Sequence, residues 1–83
     1  MNICYIQNPA KDYRRYGKGI LFSNGCALNE VATHIFDMCN GKTTVDVMVD
    51  QLFWEYDCEK SILAADVNEC LSYMLQNELI CLL

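Results

Sequence analysis

The sequence holds a single histidine, no close pair of cysteines, no phosphate-binding glycine loop and no long apolar run, and each absence closes off a class of function. Its strongly apolar runs span only a few residues, far short of the roughly 20 needed to cross a bilayer. The N-terminus lacks a basic segment followed by an apolar stretch. Neither a membrane span nor an export signal is expected, which places the chain in the cytoplasm. Six cysteines would suit a secreted disulfide framework, yet Cys4, Cys26, Cys39, Cys58, Cys70 and Cys81 include no CxxC pair of the kind that opens zinc and redox sites. They read as reduced thiols in a cytosol, with Cys39 and Cys70 on apolar helical faces where a thiol behaves as a small hydrophobe. No metal and no cofactor are expected.

What is present fits one small folded unit. Eighty-three residues make a single domain, 1–83, because a chain of this size buries only about 60–65% of its unfolded surface and has no room for a second core. A hydrophobic share of 53% supplies enough apolar area to offset chain entropy, so disorder is not expected. The formal charge of −5 is unevenly placed. Residues 1–28 carry Lys11, Arg14, Arg15 and Lys18 against Asp12, a net of +3, whereas residues 29–83 carry Lys42 and Lys60 against ten acids, a net of −8. An acidic helical part is a poor partner for a phosphate backbone, which disfavours nucleic acid.

The composition shift near residue 28 coincides with a change of periodicity. Before it lie short extended pieces at Ile3 to Ile6, Ala10 to Arg14 and Gly19 to Ser23. Asn24-Gly25 then predicts a type I′ hairpin, since both residues tolerate positive φ, with Cys26 to Leu28 as the return strand. Asn29 is placed to cap a first helix in which Val31, Ile35, Met38 and Cys39 share a face, and Asn40-Gly41 supplies a left-handed stop. Thr43 or Thr44 caps a second helix ending near Asp57 and Cys58. A third runs from about Glu59 or Ser61 to about Asn77, followed by the apolar tail Leu79 to Leu83. The expected class is α+β, winged-helix-like: an N-terminal three-stranded antiparallel sheet followed by three helices. Its last strand, Cys26 to Leu28, lies at an edge, and an unpaired edge templates pairing with another chain, a second copy included.

Candidates for chemistry are few. His34 lies beside the apolar face of helix one, and no serine or cysteine stands at a helical spacing that would make it a base. Asp46 and Asp50, at i and i+4, match the acid pairs found on ordinary solvated helix faces. Helix three is wider in its apolar arc, about 220°, than the roughly 100° that one-sided packing requires. That width suits either a helix covered on two sides or one with a face to spare. Trp54 falls opposite the core face of helix two, where it is either folded over a loop or free to anchor a partner. The basic residues of the ribbon read as a solvated edge, or as an attractor for an acidic peptide.

Two runs carry a resemblance. Leu28-Asn29-Glu30-Val31-Ala32-Thr33-His34-Ile35-Phe36-Asp37-Met38-Cys39-Asn40-Gly41-Lys42-Thr43-Thr44-Val45 resembles the PqqD-like pattern of Leu-Asn, a helix with a central aromatic, a polar-Gly stop and a Thr-Val helix start. Ala65-Asp66-Val67, Cys70-Leu71, Met74-Leu75 and Leu79-Ile80 resemble the family's closing helix. Asn8-Pro9 and the ribbon Gly19 to Ser23 extend the likeness over nearly the whole chain. The resemblance implies a recognition element for ribosomally made, post-translationally modified peptides: a module that binds a precursor's leader as an added strand and presents it to a modifying enzyme. Carried onto this chain, it implies Cys26, Ala27 and Leu28 as the docking strand and Asp66, Cys70, Tyr73 and Asn77 as the groove flank. No catalytic residue is implied, and the partner enzyme would be a radical SAM maturase, a protease or a cyclase. The family's glycine before the final Leu-Ile is Glu78 here, Trp54 stands where a smaller or polar residue is general, and six cysteines are unusual. The competing functions are a winged-helix DNA-binding regulator, opposed by the lone Lys60 among the acids of helices two and three, and a small metal or redox protein built on the cysteines.

Overall fold

The structure, a computed structural model, describes residues 3–83. In chain order the elements are β1 (Cys4–Gln7), β2 (Tyr13–Tyr16), β3 (Gly19–Phe22), β4 (Ala27–Leu28), α1 (Glu30–Asp37), β5 (Asn40–Thr44), α2 (Val45–Glu55), α3 (Lys60–Gln76) and β6 (Ile80–Leu82). The fold is α+β, with a three-stranded antiparallel ribbon, β2-β3-β4, ahead of three helices. A second antiparallel sheet, β5-β1-β6, was not legible in the pattern. β1 leaves the ribbon and becomes the centre of this sheet, pairing Ile6 with Asn40 on one side and with Cys81 on the other. Backbone accounting explains why: the helix connection and the C-terminal tail both carry amides and carbonyls that need partners, and β1 offers one edge to each.

Local chemistry sets most boundaries. The Asn29 side chain accepts from the Ala32 amide at 2.9 Å and starts α1, and Thr44 accepts from the Val47 amide at 3.4 Å and starts α2. α1 stops before Asn40-Gly41: its cap is Met38, in the right-handed region. Gly41, at φ +82°, instead lies within β5, where the register against β1 shifts. The β3–β4 turn also departs from type I′, because Asn24 is not among the positive-φ residues and Gly25 alone takes φ +94°. The Gly25 amide donates to Phe22 O at 3.0 Å and the Phe22 amide to Cys26 O at 2.8 Å, a type I turn closed by a glycine bulge. One extra residue in the loop thus shortens the return strand to Ala27–Leu28.

The buried residues form one cluster drawn from both sheets and all three helices. Phe22, Phe36 and Tyr13 make a triangle with ring centroids 5.4 Å apart on each side, which fastens the ribbon to α1. Such aromatic pairs add about 0.5–1.5 kcal/mol each beyond burial. Val67, Leu71 and Met74 of α3 are buried, as are Met48 and Leu52 of α2, so α3 packs as the central helix. The width of its apolar arc is therefore largely two-sided packing. Trp54 is 84% exposed on the outer face of α2.

Candidate functional site

β4 has a partner on one side only. Ile20 pairs with Leu28 and Leu21 with Ala27, and no described strand lies beyond β4. Antiparallel ladders alternate between bonded and non-bonded residue pairs. Since the Cys26 carbonyl is already engaged by Phe22, the next residue, Ala27, turns its N–H and C=O away from β3 and toward the free edge. The close β3–β4 approach is fixed by Gly19, where a Cβ would run into the Leu28 carbonyl. Leu28 itself is anchored: its side chain is buried and its carbonyl accepts from Thr33 Oγ1 at 3.5 Å.

Along this edge runs a cleft of about 520 Å³ between α1 and α3. Of the residues expected at the site, Ala27, Leu28, Asp66, Cys70 and Tyr73 line it together. Cys26 adjoins it, close enough that its thiol, ahead of partial burial, pushes the pKa of Tyr73 up. Asn77 does not line it; its Nδ2 donates to Tyr73 O at 2.9 Å and helps to close α3. Sequence reading missed the opposite wall, Asn29, Val31, Ala32 and Ile35, and also Glu69. Val31 and Ile35 read as core because one helical face serves both purposes. Glu69, at i+3 from Asp66, shares a helix face with Asp66, Cys70 and Tyr73, the positions that the resemblance implied. Burial pushes the Cys70 thiol up to about 11 and the Cys39 thiol up to about 12, so both stay protonated near neutrality.

The charges arrange themselves differently from their order in the sequence. Arg15 makes a two-pronged pair with Asp37 of α1, at 2.7 and 3.3 Å, and Lys18 lies 3.9 Å from Glu30. Two of the four ribbon cations are thus partnered, and the charged groups that line the cleft are Asp66 and Glu69. His34 Nδ1 sits 3.4 Å from Glu55, tying α1 to α2 rather than serving a nucleophile. Lys60, the lone base of α3, pairs with Asp50 at 3.0 Å and lies over the Phe53 ring, which leaves that helix nothing with which to grip phosphate. Among the described residues all six cysteines are free and no cluster of three or more His, Cys, Asp or Glu could hold a metal ion. No helix there is long and apolar enough to cross a membrane.

Comparison with known proteins follows the same lines. The family described as coenzyme PQQ synthesis protein D (PqqD) matches residues 14–80, which takes in the ribbon from Arg14 onward, all three helices and the residues that line the cleft. The chain belongs to the PqqD family. Among solved structures, "TbiB1 in Complex with the TbiA(beta) Leader Peptide" is similar with a TM-score of 0.76 at 16% identity, over 90% of this chain and 93% of that one. At that identity the likeness shows a shared fold. A comparison with curated proteins finds no match.

Proposed function

We propose that this PqqD-family chain is a non-catalytic recognition element that binds the leader of a ribosomally made precursor peptide by strand addition and presents the rest to a modifying enzyme. The observation that carries this reading is the coincidence of a one-sided strand with a cleft: Ala27 offers an outward donor and acceptor beside a hollow walled by α1 and α3. In β-augmentation main-chain bonds supply grip and side-chain pockets supply selectivity, so no reactive group is needed. Cys26, Ala27 and Leu28 form the docking strand, Asp66, Cys70 and Tyr73 the flank, and Asn77 acts from behind by fixing the end of α3. The TbiB1 structure, solved with a leader peptide, supports the same role for the shared fold. The whole of 1–83 acts as one peptide-recognition domain in a reducing cytosol, where its free thiols persist. Its enzyme partner is a radical SAM maturase, a protease or a cyclase, and in the absence of leader the same open edge lets two copies pair as a homodimer.

The edge itself can be tested. Proline at position 27 removes the outward N–H while remaining acceptable at a sheet edge. Ala27→Pro should weaken leader binding about 2- to 10-fold by calorimetry with the melting temperature little changed. Unchanged affinity would show that the peptide docks elsewhere.

A further inference from the structure

The α3 wall of the cleft is a single helical stripe, Asp66, Glu69, Cys70 and Tyr73, at i, i+3, i+4 and i+7. It is chemically divided. Two carboxylates occupy its N-terminal half, and a buried-leaning thiol and an aromatic ring occupy its C-terminal half. Neither Asp66 nor Glu69 has an ion-pair partner among the described residues. The facing wall, Val31, Ala32 and Ile35 of α1, carries no charge at all. A strand laid against β4 therefore meets no charged side chain in the cleft lining except at one end, where Asp66 and Glu69 stand without an ion-pair partner among the described residues.

The spacing of the two halves matches an extended chain. At 1.5 Å per residue, the midpoint of Asp66 and Glu69 lies about 8 Å along the helix from Tyr73. Side chains on one face of a strand recur every second residue, about 6.7 Å apart. For a strand running along α3, successive inward-facing positions fall one on each half, with the reach of a long cationic side chain covering the difference. Strand addition being the underlying reading, we infer its selectivity: the bound segment carries Lys or Arg at one inward-facing position and an aliphatic or aromatic residue two positions away. An acidic residue at the first position is rejected by the two carboxylates, so the stripe selects by repulsion as well as attraction.

The probe is a phage-displayed library of random 12-residue peptides, panned against the intact chain and against Asp66→Lys/Glu69→Lys, with Asp66→Asn/Glu69→Gln as the milder variant. The wild-type pool should be enriched in Lys or Arg two residues from an apolar side chain. The charge-reversed chain should select Asp or Glu at that position while keeping the apolar one, and the neutral variant should lose the charge preference alone. A synthetic wild-type binder should weaken about 3- to 10-fold on the neutral variant, as expected for two partly exposed pairs. Identical pools from wild type and neutral variant, or binders without a basic residue at that spacing, would overturn the selectivity rule while leaving strand addition standing. A library that yields no binder to any of the three proteins, or binders whose amide shifts avoid Cys26 to Leu28, would sink strand addition itself and the rule with it.

Discussion

At Glu78 a side chain with a Cβ occupies a left-handed backbone position, φ +59°. The surrounding bonds explain why it stays there. The Leu79 amide donates to Met74 O at 2.8 Å and the Glu78 amide to Leu75 O at 3.1 Å, the paired closure of a Schellman motif, with Met74 and Leu79 both fully buried beneath it. Asn8 adds a bond from its Nδ2 to Glu78 O at 2.8 Å. The closure that a glycine would make unaided is thus imposed on a glutamate, at a strain of roughly 1–2 kcal/mol. Glu78→Gly should stabilise the fold by about 0.5–1 kcal/mol in urea titration once the extra freedom of glycine in the unfolded chain is deducted. Destabilisation would mean that Glu78 makes contacts worth more than its strain. The thiols give a second test at this scale. Denatured protein should show six free thiols, and in native protein at pH 8 exposed Cys81 should be alkylated ahead of Cys70 and Cys39, whose burial raises them to about 11 and about 12. The unfolded chain releases the Cys39 proton near the ordinary 9.0, so this thiol's share of stability is complete below about pH 9 and fades as pH rises toward 12. Fast labelling of Cys39 in the native state would contradict its burial.

At the scale of elements, the ribbon and α1 are joined by the aromatic triangle and by Arg15–Asp37, whereas Arg14 reaches nothing comparable. Arg15→Glu should therefore lower stability by about 0.2–1 kcal/mol, with Arg14→Glu neutral within error; equal effects would show that the Arg15 pair adds nothing measurable. What was legible in the sequence follows the range over which each signal acts. The cap at Asn29 is written within one turn of helix and is seen as expected, and of the two threonines that could cap α2 the structure uses Thr44. The type of the β3–β4 turn hangs on the sign of φ at Asn24 alone, which composition does not decide because asparagine tolerates both. The sheet β5-β1-β6 joins Cys4–Gln7 to Ile80–Leu82 across most of the chain, and pairing at such separation leaves no local period to find. The α1 wall of the cleft stayed hidden for a different reason. Ile35 is 1% exposed and serves the core and the cleft floor at once, so its pattern is that of any packed helix. Leu28 has the same double duty, which makes Leu28→Asp a test of folding rather than of docking.

Taken as a whole, the molecule has a division of faces: a free strand and cleft on the α1–α3 side, and an acidic α2 face bearing Trp54 that contributes nothing to the cleft lining. The ribbon charges left unpaired, Lys11 and Arg14, are too few and too exposed to determine grip, so the cleft carboxylates dominate what an approaching peptide meets. Strand addition at β4 is tested most directly by titrating isotopically labelled protein with a synthetic precursor leader peptide and following every backbone amide by NMR. The shifts should concentrate at Cys26 to Leu28 and along Asp66 to Tyr73, with the Ala27 amide newly protected from hydrogen exchange as its outward N–H gains a partner. Saturable binding that leaves the Ala27 amide exchanging freely, with shifts gathered instead on α2 or on β6, would show that the open strand is not where the peptide binds.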